Sequence, residues 1–284
     1  MRGKPMAKRI SVRGIQMAYE EHGAGDRPFV LVHGFTGSRR DFGERLPALA
    51  ALGRTIALDL RGHGESTNTG EAEGYTLDGL AEDLVAFLDA LAIERCDLLG
   101  HSMGGMVALR AALAHPQRFT SMVLMDTSAR APEGLPRDLF DLAARVAREA
   151  GMERLLELVR RRASEDPLRT EADRRLEAEW GSGYWDDWRI PNFRAMDPEA
   201  YAALGREVLE QESLAPRLGA IRCPTLVLVG EGDRGFVEAA EEMARGIAGA
   251  RHVVIPRGGH SPQLETPEAW HAALCAHLER VRGA

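Results

Sequence analysis

The residues best suited to chemistry in this chain are a serine, a histidine and an aspartate, and the serine poses the question. Ser102 lies in "CDLLGHSMGGMVALRAALAHP" (Cys96 to Pro116), where a short apolar run turns into a helix-like stretch, with Gly100 two residues before it and Gly104 two residues after. A serine at a helix start can be a cap, because its side-chain oxygen accepts the free amide hydrogens there. The glycines argue for a different role. In a tight strand-to-helix turn the residues two positions on either side are crowded against the central one, and a serine held at the tip of such a turn is an exposed nucleophile.

A serine hydroxyl attacks a carbonyl at neutral pH when a base takes its proton and a third group fixes the tautomer of that base. Among nine histidines the best base is His260, in "IPRGGHSPQLETPEAW", which follows the last apolar run in a loop before a helix expected near Pro267. Asp233, closing "PTLVLVGEGD", is favoured as the third member, and Asp126, closing "SMVLMD", is its rival. The charge that develops on an attacked carbonyl oxygen also needs prepositioned donors. The backbone N–H of Met103, at a helix N-terminus where the dipole helps, is one candidate; the N–H of Phe35 in "LVHGFTGS", just after Gly34, is the other.

These residues need a scaffold that brings them together. Six short apolar runs (Pro28 to Gly34, Arg54 to Gly62, Cys96 to Ser102, Ser121 to Asp126, Pro224 to Asp233, Arg251 to Gly259) end in glycine or a polar residue and read as buried strands. Helix-like segments separate them: Leu77, Leu80, Leu84, Phe87, Leu88 and Leu91 recur at helical spacing. Strands alternating with helices imply a parallel sheet with right-handed crossovers and helices on both faces. Ligands sit beyond the carboxyl ends of such strands, and His33, Gly34, Phe35, Asp59, Ser102, Asp126, Asp233 and His260 all stand there.

The alternation breaks between about Thr127 and Arg217, a region rich in arginine, glutamate and alanine that reads as amphipathic helices without a strand. The expected division is therefore a core of residues 1–126 and 218–284 with a helical cap, residues 127–217, inserted over the crevice. Trp180, Trp185 and Trp188 fall within "WGSGYWDDWRIPNF" in this region. They are expected either to line an apolar substrate pocket or to anchor the cap. The run Arg160 to Arg162 reads as a solvated helix face.

Composition excludes several other classes. A net charge of -7 opposes general attraction to nucleic acid or anionic lipid. No apolar run approaches bilayer-spanning length, so no membrane partner is expected. Cys96, Cys223 and Cys275 form neither a disulfide framework nor a zinc motif, and no His-Glu-x-x-His spacing occurs, so neither a metal nor another cofactor is expected. The scattered cysteines fit a reducing compartment, and "MRGKPMAKRISVRG" lacks the apolar segment of a secretory signal, so a cytoplasmic location is expected.

Together, "HGFTGS", "DLRGHGES" (Asp59 to Ser66), "GHSMGG", "VGEGD" and "GGHSPQLETPE" resemble the α/β-hydrolase family over nearly the whole chain. The resemblance implies an α/β fold with an eight-stranded, mostly parallel sheet and a helical cap between the sixth and seventh strands. It also implies the chain order Ser, Asp, His for the triad, and a mainly structural role for "DLRGHGES", so His63 and Asp59 receive no catalytic role. Ser102 argues against the dehalogenase and epoxide-hydrolase branches, which use aspartate nucleophiles. "HGFTGSRRDF" lacks the Gly-Pro-Gly and Asn-Trp usual in carbon-carbon hydrolases, and Met106 stands where a related menaquinone-pathway lyase has arginine. A carboxylesterase acting on a small-molecule ester, as a monomer or homodimer, is the leading expectation. Lactonase, perhydrolase and carbon-carbon hydrolase or lyase chemistry with the same triad are alternatives, as is a ligand-binding protein on the same fold.

Overall fold

The computed structural model describes residues 7–134, 136–163 and 169–283. The first six residues of the basic N-terminal segment, and small parts of the expected core and cap ranges, lie outside the described residues.

The six apolar runs correspond to six parallel strands: β3 (Phe29–Val32), β4 (Thr55–Leu58), β5 (Cys96–His101), β6 (Phe119–Met125), β7 (Thr225–Gly230) and β8 (Arg251–Ile255). Two further strands, β1 (Lys8–Val12) and β2 (Ile15–His22), precede them as an antiparallel hairpin. The apolar-run reading missed this hairpin because its strands alternate polar and apolar residues. A signal was present in the two-residue turn Arg13-Gly14, where both residues have positive φ (43° and 82°) as the hairpin twist demands. The eight strands form one sheet in the order β1-β2-β4-β3-β5-β6-β7-β8, antiparallel as far as β2/β4 and parallel from there on. This is the mostly parallel α/β architecture expected.

Successive strand residues face opposite ways, which divides the apolar core in two. Phe29, Leu31, Leu99, Val123, Met125 and Leu228 pack with Phe42, Leu46 and Trp270 on one face. On the other, Val30, Val32, Leu98, Leu124 and Val229 pack with the helices Leu77–Ala90 and Met103–Ala114. The periodic leucines of the first of these helices are buried from Leu77 to Leu88, and Thr76 caps it by accepting the Gly79 N–H.

Between β6 and β7 the described residues hold helices and no strand: Arg137–Arg161, kinked at Gly151 (φ 80°), Glu171–Trp180, the π-helical turn Tyr184–Arg189, Ile190–Ala195 and Pro198–Glu210. Arg160 to Arg162 are exposed, as read from the sequence.

The helix Met103–Ala114 begins directly against the end of β3. A Cβ on Gly104 would lie 2.5 Å from the carbonyl oxygens of both Val32 and His33, and one on Gly100 would lie 2.4 Å from the Gly104 carbonyl oxygen. These contacts are with backbone, which no rotamer change relieves. Gly104→Ala is therefore expected to cost about 1–3 kcal/mol and to lower the melting temperature by roughly 3–10 °C in a calorimetric scan; an unchanged midpoint would show that the helix start can move aside.

Candidate active site

β5 ends at His101, and the chain reverses into a helix through Ser102, whose φ of 52° is a conformation that side-chain-bearing residues seldom adopt. The turn is pinned on both sides. The Ser102 N–H donates to the Met125 carbonyl (2.9 Å), and the Thr127 hydroxyl donates to the Ser102 carbonyl (2.6 Å). The Ser102 side chain makes no capping bond to the helix it precedes, which removes the cap reading. Its hydroxyl instead lies 3.0 Å from His260 Nε2.

His260 Nδ1 lies 2.7 Å from Asp233 Oδ2. The loop carrying this histidine is fastened from several directions. The Glu265 carboxylate accepts the N–H groups of Gly259 (2.5 Å) and Ser261 (3.3 Å), His101 Nε2 donates to the His260 carbonyl (2.6 Å), and the Phe236 ring lies 4.9 Å from the imidazole. Burial pulls His260 toward the neutral form, but the charge and hydrogen bond of Asp233, with Glu265 and Asp173 further off, outweigh it and hold the imidazole above the ordinary histidine value.

The rival acid is behind the favoured one. Asp126 is fully buried, with φ 46°, and its Oδ1 accepts the Gly230 N–H at 2.8 Å. Burial, reinforced by the adjacent Asp233 charge, pushes the Asp126 carboxyl well above the usual carboxylate range. Asp126, Asp233 and His260 each bring a possible ligand atom within 4.8 Å of the others, which among the described residues makes them the one cluster with metal-binding potential. The donor set suits a cation poorly: burial raises the Asp126 pKa, its Oδ1 already accepts the Gly230 N–H, and His260 Nδ1 already faces Asp233.

The segment after β3 passes over the serine. A Cβ on Gly34 would sit 3.1 Å from Ser102 Cβ, tighter than an ordinary contact, so a side chain there would press on the serine. Among the described residues neither the Phe35 nor the Met103 N–H donates to a backbone carbonyl in a loop or cap. Two histidines without a catalytic assignment brace this segment. His33 Nε2 accepts the Leu60 N–H (3.0 Å), which leaves Nδ1–H to donate to the Gly34 carbonyl (2.8 Å). His63 Nε2 donates to the Phe35 carbonyl (2.6 Å). The other His63 nitrogen, Nδ1, faces the Arg61 carbonyl (3.0 Å), and burial lowers the pKa of both the His33 and the His63 ring. Asp59 accepts the backbone N–H groups of Arg39 (2.7 Å) and Glu65 (2.8 Å) and pairs with the Arg39 guanidinium, so "DLRGHGES" supports the same loop. Sequence reading missed these braces because each works through a partner distant in the chain.

The tryptophans form an aromatic cluster. Trp180 meets Trp188 edge-on at 6.3 Å, and Tyr184 meets both Trp185 and Trp188 edge-on as well. Trp185 is turned inward with its N–H on Glu177 (2.6 Å), and Trp188 donates to Asp41 (2.9 Å). A surface cleft between the helices Arg137–Arg161 and Pro198–Glu210 is lined by Phe140, Tyr201, Gly205 and Leu209, with the Phe35 ring 5.0 Å from Tyr201. None of the three tryptophans, nor Ser102, lines that cleft. The Met103 and Met106 side chains are buried in the core.

A parallel sheet with this helix arrangement and a serine at the β5 turn defines a class, and the comparison with known proteins agrees. Residues 27–267 match the profile described as alpha/beta hydrolase fold, and the chain belongs to that family. It is 33% identical over 268 residues to the dihydrolipoyllysine-residue acetyltransferase component of the acetoin cleaving system of Pseudomonas putida, covering 92% of this chain and 66% of that one. A thermophilic esterase from Thermogutta terrifontis superposes with a TM-score of 0.82 at 30% identity, covering 98% of this chain and 99% of the esterase. The enol-lactonase from Burkholderia xenovorans superposes with a TM-score of 0.81 at 26% identity, covering 95% and 99%.

Two titrations follow from this electrostatic arrangement. In NMR spectra the His260 ring is expected to titrate above about 6.5, and in Asp233→Asn, where burial acts with less opposition, below the wild-type value; no shift on substitution would mean that Asp233 does not act on the ring. Asp126 behaves in the opposite sense. Its folded pKa is raised, so the stability it contributes is full below about 4 and is lost as pH rises toward the folded value. Asp126→Asn removes that loss, so its melting temperature should gain on the wild type as pH rises above about 4. Curves that stay parallel as pH rises would refute a raised pKa at Asp126.

Proposed function

We propose that the protein is a serine hydrolase that cleaves carboxylic esters of small to medium size through an acyl-enzyme. The observation that carries this reading is the hydrogen-bonded line from Ser102 Oγ to His260 Nε2 (3.0 Å) and from His260 Nδ1 to Asp233 Oδ2 (2.7 Å), starting at a serine on a strained strand-to-helix turn. Asp233 fixes the tautomer that leaves Nε2 free to take a proton. Ser102 Oγ gives its proton to Nε2 as it attacks the ester carbonyl, and the carbonyl oxygen becomes an oxyanion received by the Phe35 and Met103 N–H groups. The imidazolium returns the proton to the leaving alcohol; water, deprotonated by the same nitrogen, then releases the acid and restores Ser102. The loop 33–39 must stay fixed for this step, since donors that reorganise during reaction stabilise charge less.

In this reading residues 1–126 and 218–284 form the catalytic core and residues 127–217 the cap that selects substrate. The charges acting on His260 come from the carboxyl groups of Asp233, Glu265 and Asp173, which favours a neutral ester over an anionic one. The structural likeness to an esterase supports ester hydrolysis, and the likeness to an enol-lactonase favours lactones as the second substrate class, since ring opening uses the same steps.

Wild type and Ser102→Ala should be assayed against p-nitrophenyl esters of increasing acyl length and against simple lactones. Short esters are expected to turn over, with kcat in Ser102→Ala lower by roughly 10⁴ or more. A wild type inert toward every ester and lactone, yet labelled at Ser102 by a fluorophosphonate, would assign the machinery to another bond; an unlabelled Ser102 would overturn the nucleophile itself.

A further inference from the structure

The loop that carries Phe35 is gripped a second time, from the helical region between β6 and β7. Asp41, in the short helix Arg40–Gly43 at the end of this loop, is buried. Its Oδ1 accepts two side-chain hydrogen bonds at 2.9 Å, one from Trp188 Nε1–H and one from Asn192 Nδ2–H. Asn192 Oδ1 in turn accepts the Ser38 hydroxyl (2.7 Å), and the Ser38 N–H reaches Asp41 Oδ2 (3.4 Å).

The grip continues toward the catalytic serine. A Cβ on Gly37 would lie 2.1 Å from Asp41 Oδ2, so the carboxylate rests directly on the loop backbone. The Gly37 N–H donates to the Gly34 carbonyl (3.1 Å), closing the turn that contains Phe35. Burial pushes the Asp41 carboxyl up to about 6, against the hydrogen bonds from Trp188, Asn192 and Ser38 and the nearby Arg189 charge. A leucine here would avoid that desolvation cost. The carboxylate instead supplies one oxygen that holds donors from two consecutive segments of the helical region.

We infer that Asp41 and Trp188 are positioning residues for the oxyanion loop: Trp188 and Asn192 hold the Asp41 carboxylate, which fixes the Gly34–Gly37 turn and with it the direction of the Phe35 N–H. The inference rests on the proposed roles of Ser102 and Phe35. It gives the helical region a part in the chemical step as well as in substrate choice, and it gives Trp188 a function other than lining a pocket.

The test uses the full chain with Trp188→Phe, Asp41→Ala and Asp41→Asn, assayed for kcat and KM on p-nitrophenyl acetate and for the rate of fluorophosphonate labelling. Trp188→Phe keeps the ring in its aromatic cluster and removes the N–H. Because a small misplacement of catalytic groups costs up to about 100-fold, Trp188→Phe and Asp41→Ala are expected to lower kcat roughly 10- to 100-fold while KM changes less than about threefold. Labelling should slow in step, because phosphonylation also loads charge onto an oxygen at the same donors. Asp41→Asn keeps an oxygen for both Trp188 and Asn192 and should recover most of kcat. Should Asp41→Ala fail to fold, Trp188→Phe decides. An effect on KM alone, an unchanged kcat, or an Asp41→Asn as slow as Asp41→Ala overturns the inference. A wild type that takes no label overturns the reading of Ser102 instead, so the two failures are distinguishable.

Discussion

Contact between the start of the helix Met103–Ala114 and the carboxyl end of β3 is the constraint from which the site follows. The helix can come this close because Gly100, Gly104 and Gly105 have no side chains: a Cβ on any of them would meet backbone or the Thr127 side chain at 2.5 Å or less. The approach forces Ser102 into a positive φ, and the bonds to Met125 and Thr127 keep it there. Strain of this kind persists where the surroundings over-determine the conformation. It lifts a hydroxyl out of the sheet at the end where the neighbouring strands deliver their loops.

Of four buried or half-buried histidines around the site, one meets that hydroxyl, and their different environments separate their roles. His33, His63 and His101 are buried without a carboxylate partner, and burial moves each toward the neutral form, His101 to about 3. These rings brace the loops: His33 and His63 hold the segment after β3, and His101 holds the carbonyl of His260. His260 alone of the four has a carboxylate at hydrogen-bond distance, and its pKa moves the other way. The adjacent pair Asp233 and Asp126 is divided in the same manner. Two carboxylates so close cannot easily both ionise, and burial together with the Asp233 charge raises the pKa of Asp126, which lies behind the carboxylate that faces the histidine.

The helical region between β6 and β7 is tied to the core by polar bonds as well as by apolar contact. Trp188 and Asn192 reach Asp41, Tyr75 donates to Asp197 (2.5 Å), and the Phe35 ring packs against Tyr201 and Phe140. The loop that carries Phe35 therefore has one flank on the core, through His33, His63 and Asp59, and the other on this region.

The sequence by itself determined the six parallel strands, the interruption after β6, and Ser102, His260 and Asp233 as the residues to watch. It could do so because these features are local: buried parallel strands are continuous apolar runs, and a strand-to-helix turn writes its crowding as glycines two residues away. The β1/β2 hairpin was legible only in its Arg13-Gly14 turn, because an edge pair alternates polar and apolar residues instead of forming a run. Tertiary structure decided the rest. The sequence favoured Asp233 over Asp126, but only the tertiary structure shows the Asp233 carboxylate 2.7 Å from His260 while Asp126 accepts the Gly230 N–H. The bonds of His33 to Leu60 and of His63 to Phe35, and the grip of Trp188 on Asp41 across 147 positions of chain, join groups far apart in the sequence. Hydrogen bonds act over about 3 Å of space whatever the separation along the chain, so partners so far apart become visible only when the fold has closed.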